Sequence, residues 1–191
     1  MFAVLDRIHR LPTRYLFLFV LSLAIPAFLI NIHLAAFIGD EAIRALVALE
    51  MKLSGNYVAT TMHGAAYINK PPLFNWFLVV AGELWGGFGE WPSRLTTVFF
   101  LGVFGYTVYR FVRTEFGREF ALLSALLTVT SGRFLIYDSM LGLIDTTFSW
   151  VTYLQMMAIW WFGTRRRWLA LFLVTYFLTA AAFMLKALPA I

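Results

Sequence analysis

Asp40, Glu41, Lys70 and Asp145 are the residues of this chain whose types and settings could support a reaction, each standing beside an apolar run. A carboxylate in such a place can take a proton as general base or hold a divalent cation, and a lysine can neutralise a phosphate as a point charge. Together they suit the chemistry of a charged lipid headgroup at a membrane surface. The same residues also have plainer uses. Asp40 and Asp145 each precede a helical stretch and could cap it, Glu41 could face the positive end of a helix dipole, and Lys70 could snorkel to the interface. Residue types leave both readings open, so the elements that position these side chains carry the argument.

The solvent of those elements is a bilayer. The chain has 61% hydrophobic, 18% aromatic and 13% charged residues, with a mean hydropathy of +0.78, whereas charged residues make up about a quarter of soluble domains. There is no cysteine, so disulfides and thiolate metal sites are excluded. The net charge of +5 sits in short basic clusters beside apolar runs, which orients membrane spans and gives no sign of nucleic acid.

Met1 to Arg14 carries Arg7, His9, Arg10 and Arg14, and the apolar run Tyr15 to Ile38 that follows exceeds the about 20 residues a span needs. It is also longer than the apolar core of a signal peptide, about 7–15 residues. Pro26 is expected to kink it. In Gly39 to Asn69, Ala42, Leu46, Leu49 and Leu53 recur at helical spacing while Asp40, Arg44 and Met51 fall on another face, which predicts an amphipathic helix lying on the membrane. Asp40 is expected to cap its start, Lys52 to suit its end and Gly55 to close it. The run from Leu73 is interrupted by Glu83 and Gly86-Gly87, too soon for a span. Further spans are expected at Ser93–Tyr109, Phe120–Tyr137, Thr146–Phe162 and Trp168–Leu185.

If the 73–85 segment stays on the outer face, the N-terminal basic cluster, the Arg110, Arg113 and Arg118 group and the Arg165-Arg166-Arg167 run all fall on the cytoplasmic side. If it crosses, that agreement is lost. The expectation is therefore an all-α integral membrane protein forming a single transmembrane domain over residues 1–191, with about five transmembrane helices and a cytoplasmic N-terminus. A long first outer loop, residues 39–92, holds interfacial helices, a second surrounds Asp138–Asp145, and a third begins near Lys186. This topology gathers Asp40, Glu41, Lys70 and Asp145 on one side of the membrane. His33 and His63 have no partner at metal-ligand spacing and read as structural. Trp76, Trp85 and Trp91, with Tyr57 and Tyr67, read first as an interfacial aromatic belt, and second as a surface for stacking on a sugar ring.

The motifs resemble a family. Asp40-Glu41, Met51 to Tyr57, Tyr67-Ile68-Asn69-Lys70-Pro71-Pro72-Leu73 with Trp76, and Trp91-Pro92-Ser93-Arg94-Leu95 resemble, in that order, the first half of the polyprenyl-phosphate-sugar glycosyltransferases. These are GT-C membrane enzymes that include the lipid A aminoarabinose transferases and the protein O-mannosyltransferases. The resemblance implies Asp40 as general base and Lys70 as a contact to the donor phosphate. It implies Lys186, in Leu185-Lys186-Ala187-Leu188-Pro189, as a second donor-phosphate contact, and Glu41, Arg44 and Tyr67 as further active-site residues. Asp145 matches an acidic position associated with a divalent metal cation in relatives, the one cofactor the resemblance suggests. Arg44 is displaced by one position from the arginine of relatives, Asn69 stands where they often have an acidic residue, and Ala187 where they have glycine.

The implied activity is sugar transfer, with inversion, from a polyprenyl phosphate to a lipid or protein acceptor at the outer face of a bacterial cytoplasmic membrane. The alternative is a non-catalytic lipid-binding or assembly subunit, or an inactive fragment, of the same fold. A small transporter or channel would need ionisable residues within the spans; His33 is the one weighed in that role.

Overall fold

The computed structural model describes residues 13–30, 32 and 35–187; His33 and the N-terminal basic cluster at Arg7 and Arg10 lie outside them. The first helix, α1 (Thr13–Leu29), contains Pro26 and ends earlier than the apolar run does. The residues that follow turn their carbonyl groups elsewhere: those of Ile32, Ala35 and Ala36 accept hydrogen bonds from Arg94.

The interfacial helix α2 spans Asp40–Ser54 and is closed by Gly55 in the left-handed region, as its sequence predicts. Its buried face is formed by Glu41, Arg44, Ala45, Val47, Ala48 and Met51. Of the apolar stripe read from the sequence, Ala42 and Leu53 are exposed and Leu46 and Leu49 half-buried, while the face bearing Arg44 and Met51 packs into the protein. Asp40 is not a cap. The N-cap is Gly39, with no side-chain cap hydrogen bond, and Asp40 is the first helical residue.

A short antiparallel hairpin, β1 (Thr61–Met62) and β2 (Ala65–Ala66), leads to α3 (Leu73–Trp85). At 13 residues, α3 is about 20 Å long, short of the about 30 Å hydrocarbon core, and it ends at Gly86 in the left-handed region. It does not have the length to cross, as the charge argument requires.

The helix α4 (Glu90–Phe116) extends beyond the expected span at both ends. The expected third span is broken into α5 (Arg118–Val129) and α6 (Gly132–Ile136), which runs on into the 3₁₀ turn Asp138–Met140. The two parts meet at a 46° bend. Thr130 returns both its N–H and its hydroxyl to the Leu126 carbonyl, which occupies the acceptor at the break. Then come α7 (Asp145–Thr164) and α8 (Trp168–Lys186). Among the described residues α4 and α8 have the length and apolarity of a span, and the bent α5–α6 pair makes a third. The 20 residues of α7 are long enough, but Asp145, Thr146, Thr147, Ser149, Thr152 and Gln155 lower its apolarity.

The bundle is tied by small residues and polar contacts within apolar surroundings. A Cβ added at Gly105 of α4 would meet Val129 Cγ1 of α5 at 2.6 Å. Trp150 Nε1 donates to Thr107 Oγ1 at 3.0 Å, joining α7 to α4, and Gln155 Nε2 donates to Thr179 Oγ1 at 2.7 Å, joining α7 to α8. The buried core lies towards the loop-one end, where Val47, Ala48 and Met51 of α2 meet Phe74 and Leu78 of α3, Ile144 and Val151 near α7, and Ala182 and Leu185 of α8. The interfacial helices are thereby part of the folded body, and they fix the residues of loop one against the ends of α7 and α8.

Candidate active site at the loop-one end of the bundle

The centre of this end is a buried ion pair. Glu41 is 0% and Arg94 1% exposed. Arg94 Nε donates to Glu41 Oε1 at 2.7 Å and Nη2 to Oε2 at 2.9 Å. Glu41 also accepts from the Gly142 N–H at 2.7 Å and the Ile38 N–H at 3.1 Å. The remaining guanidinium donors reach the carbonyls of Ile32, Ala35 and Ala36 at 2.9–3.1 Å. Two buried charges are tolerated when geometry and hydrogen bonding are this complete. Gly142 is required at its position, because a Cβ there would lie 2.8 Å from Ser93 Cβ and 3.2 Å from Glu41 Oε1. The clamp thus joins the end of α1, the start of α2, α4 and the second outer loop. Glu41 is fully engaged in it and has no free lone pair facing solvent.

Asp40, the neighbour of Glu41, is exposed and makes no hydrogen bond or ion pair among the described residues. One turn further on, Arg44 is 3% exposed and its Nη1 has no hydrogen-bond partner. Burial pushes its guanidinium down from the usual arginine range, and the nearby Tyr67, Asp40 and Asp145 push it back up. It stays charged at neutral pH. Arg44 therefore stands in the field of the aspartates of both outer loops and beside Tyr67.

Tyr67 is held through its backbone. Its N–H donates to the Thr60 carbonyl at 2.8 Å and its carbonyl accepts from the Thr60 hydroxyl. Glu50 organises the hairpin before it, accepting from Thr61 Oγ1 and the His63 N–H, both at 2.6 Å, and from the Gly64 N–H at 3.4 Å. His63 at the hairpin tip has a φ of 54° and, with Glu50 beside it, belongs to no group of three or more metal-ligating side chains among the described residues. Trp76 Nε1 donates to the Tyr57 carbonyl at 2.6 Å, pinning the same loop to α3. Lys70 follows, half-buried and without a hydrogen-bond or ion-pair partner among the described residues.

Asp145 and Lys186, 41 positions apart, meet directly, with Nζ donating to Oδ1 at 2.5 Å. Asp145 begins α7 without capping it. Arg133 Nη2 lies 3.9 Å from the same Oδ1, while its Nε donates to Asp138 Oδ2 at 3.1 Å. A divalent cation at Asp145 would share one carboxylate with Lys186 and Arg133, both of them positive and both set against Oδ1, and no group of three or more His, Asp or Glu side chains gathers among the described residues. The donor set does not fit a metal ion. Ala187, next to Lys186, has φ 58° and ψ −127°, a backbone conformation close to that of Gly39 and one that favours glycine.

The structure thus joins Asp145 to Lys186, sets Arg44 among Asp40, Tyr67 and Asp145, and withdraws Glu41 into the clamp. Arg94, Arg133, Asp138 and Gly142 were not singled out as functional from the sequence. Arg94 and Arg133 lie inside the stretches read as the spans Ser93–Tyr109 and Phe120–Tyr137, and an arginine in an apolar run is the signal that could have found them.

Residues 69–191 match the family described as dolichyl-phosphate-mannose-protein mannosyltransferase, which covers more than half of the chain. The chain belongs to this family. The match begins at Asn69, beside Lys70, and takes in the ion pairs that Asp138 and Asp145 make with Arg133 and Lys186. The fold agrees with ArnT from Cupriavidus metallidurans in the apo state at a TM-score of 0.77 and 24% identity over 94% of this chain. The same protein bound to undecaprenyl phosphate superposes at 0.78 with 23% identity, again over 94%. The chain spans 34% of the length of those structures. No significant match is found among curated proteins. Family and fold are those of multi-pass membrane glycosyltransferases of the GT-C class.

Proposed function

We propose that this chain carries the catalytic outer end of a glycosyltransferase, which moves a sugar from a polyprenyl-phosphate donor to a lipid or protein acceptor at the outer face of a bacterial cytoplasmic membrane. The observation that supports it most is the pairing of an exposed, unengaged Asp40 with the buried, incompletely satisfied cation Arg44 one turn away. The ArnT structure of like fold that binds undecaprenyl phosphate is consistent with such a donor.

In this reading Asp40 takes the proton of the acceptor hydroxyl as its oxygen attacks the anomeric carbon. The bond from that carbon to the phosphate oxygen breaks, and the polyprenyl phosphate departs with the electron pair. Attack opposite the leaving group inverts the sugar. Negative charge grows on the departing phosphate, where Lys70, Lys186 and the unused Nη1 of Arg44 stabilise it. Lys186 reaches the donor by exchanging its Asp145 partner for phosphate. Tyr67 lines the same site, and no step uses a metal ion.

The test is a transfer assay with labelled polyprenyl-phosphate sugars on membranes containing the complete natural polypeptide. Asp40→Asn is expected to abolish transfer, a loss of at least about a hundredfold, while donor binding is retained. Turnover that survives the change removes Asp40 from the role of base. Donor binding by the unaltered protein, with no transfer to any acceptor, would favour a lipid-binding subunit.

A further inference from the structure

A second lipid-facing feature lies between α1, α4 and α5. There a cavity of about 550 Å³ is walled by apolar side chains including Phe28, Leu101, Leu122 and Leu126, with Tyr109 and Arg118 also lining it. We infer that this groove binds a single anionic glycerophospholipid, its acyl chain in the apolar channel and its phosphate against Arg118. The inference is independent of the transfer reaction.

Length and charge argue for that occupant. Along α4 the lining runs from Val98 to Tyr109, and along α5 from Arg118 to Val129. At 1.5 Å per residue each stretch is about 16 Å long, half of the about 30 Å hydrocarbon core. The groove therefore has the depth of one leaflet, which suits an acyl chain and is short for a polyprenyl chain. Its polar end lies among the cations of the bundle face opposite Asp40. Arg110, Arg113, Arg118 and the Arg165-Arg166-Arg167 run are all exposed there. Glu115 is engaged by Arg165 at 3.8 Å, whereas Arg118 has no hydrogen-bond or ion-pair partner among the described residues. Arg118 opens α5 behind Gly117, and the Glu119 carboxylate in the same first turn leaves Arg118 itself as the group offered to an anion. By the positive-inside argument this end meets the leaflet whose anionic lipids attract arginine.

Gly102 supplies a clean probe. A Cβ at this lining position meets nothing within 4 Å, so a side chain added there starts in open space at the groove wall.

The experiment reconstitutes the natural protein in phosphatidylcholine vesicles containing a little phosphatidylglycerol with a photoactivatable acyl chain. Labelling is read by mass spectrometry of peptides from α1, α4 and α5. Labelling should be competed by unlabelled phosphatidylglycerol, and it should fall about fivefold in Arg118→Gln and at least as far in Gly102→Leu. Equal labelling by a phosphatidylcholine probe, competition by polyprenyl phosphate, or labelling that neither variant changes would overturn the assignment. The last result is what a groove filled by another polypeptide helix would give.

Discussion

At the scale of single residues, the partition between Asp40 and Glu41 is the main result. These adjacent carboxylates face opposite surroundings, Asp40 open to solvent and Glu41 sealed against Arg94. Replacing Glu41 by Ala would strand a buried guanidinium, and a loss of about 3–5 kcal/mol in folding stability is expected, read as a lowered denaturation midpoint in detergent. A midpoint that does not move would remove the clamp from its structural role. Gly142→Ala would force its Cβ against Ser93 and should cost about 1–3 kcal/mol. Ala187→Gly should have the opposite sign, relieving a φ of 58° for a gain of about 1 kcal/mol. The chemical types at Asp40, Lys70 and Lys186 were legible in the sequence. The engagement of Glu41 was not, because its partners lie 53 and 101 positions away, beyond anything that spacing along one helix can display.

At the scale of elements, loop one is ordered by side chains acting on backbone. Accepting from Thr61 Oγ1, and then from the Gly64 and His63 amides, holds the Glu50 carboxyl below its usual range of about 4.5. Its support of the hairpin is therefore fully present above that range and is lost as pH falls through the lower folded value. Protection of the amides of residues 61–66, taken relative to their intrinsic exchange rates, should fall on acidification below about pH 4.5 and lose that pH dependence in Glu50→Gln. Identical pH profiles for the two proteins would dismiss this coupling. Helix existence was largely readable, since the apolar runs and the closing glycines Gly55 and Gly86 mark α2 and α3 closely. The break between α5 and α6 was not. The bend falls at Thr130-Ser131-Gly132, a short polar stretch with a helix-weakening glycine that the apolar residues on either side outweigh when the run is read as one span.

At the scale of the whole molecule, the basic clusters anticipated a short, non-crossing α3, and its 13 residues agree with that. The orientation itself can be tested by single cysteines at Ala65 and Thr164, in a chain that has none. An impermeant thiol reagent applied outside should label the first and spare the second, and the reverse pattern would invert the topology. Family membership was legible from the motifs of loop one. The Asp145 to Lys186 contact was not, because it depends on how α7 and α8 pair. The Glu41 clamp also has a consequence for biogenesis. Arg94 is synthesised 53 residues after Glu41, and Gly142 101 residues after it, so at about 5–20 residues per second the carboxylate waits about 3–10 s for its countercharge and about 5–20 s for closure. Until then loop one has a hydrated acid where the finished protein has a dry joint. The joint at the start of loop one is thus completed only once the helices that carry Arg94 and lead to Gly142 are in place, and a chain stalled before Gly142 keeps that carboxylate short of one of its buried donors.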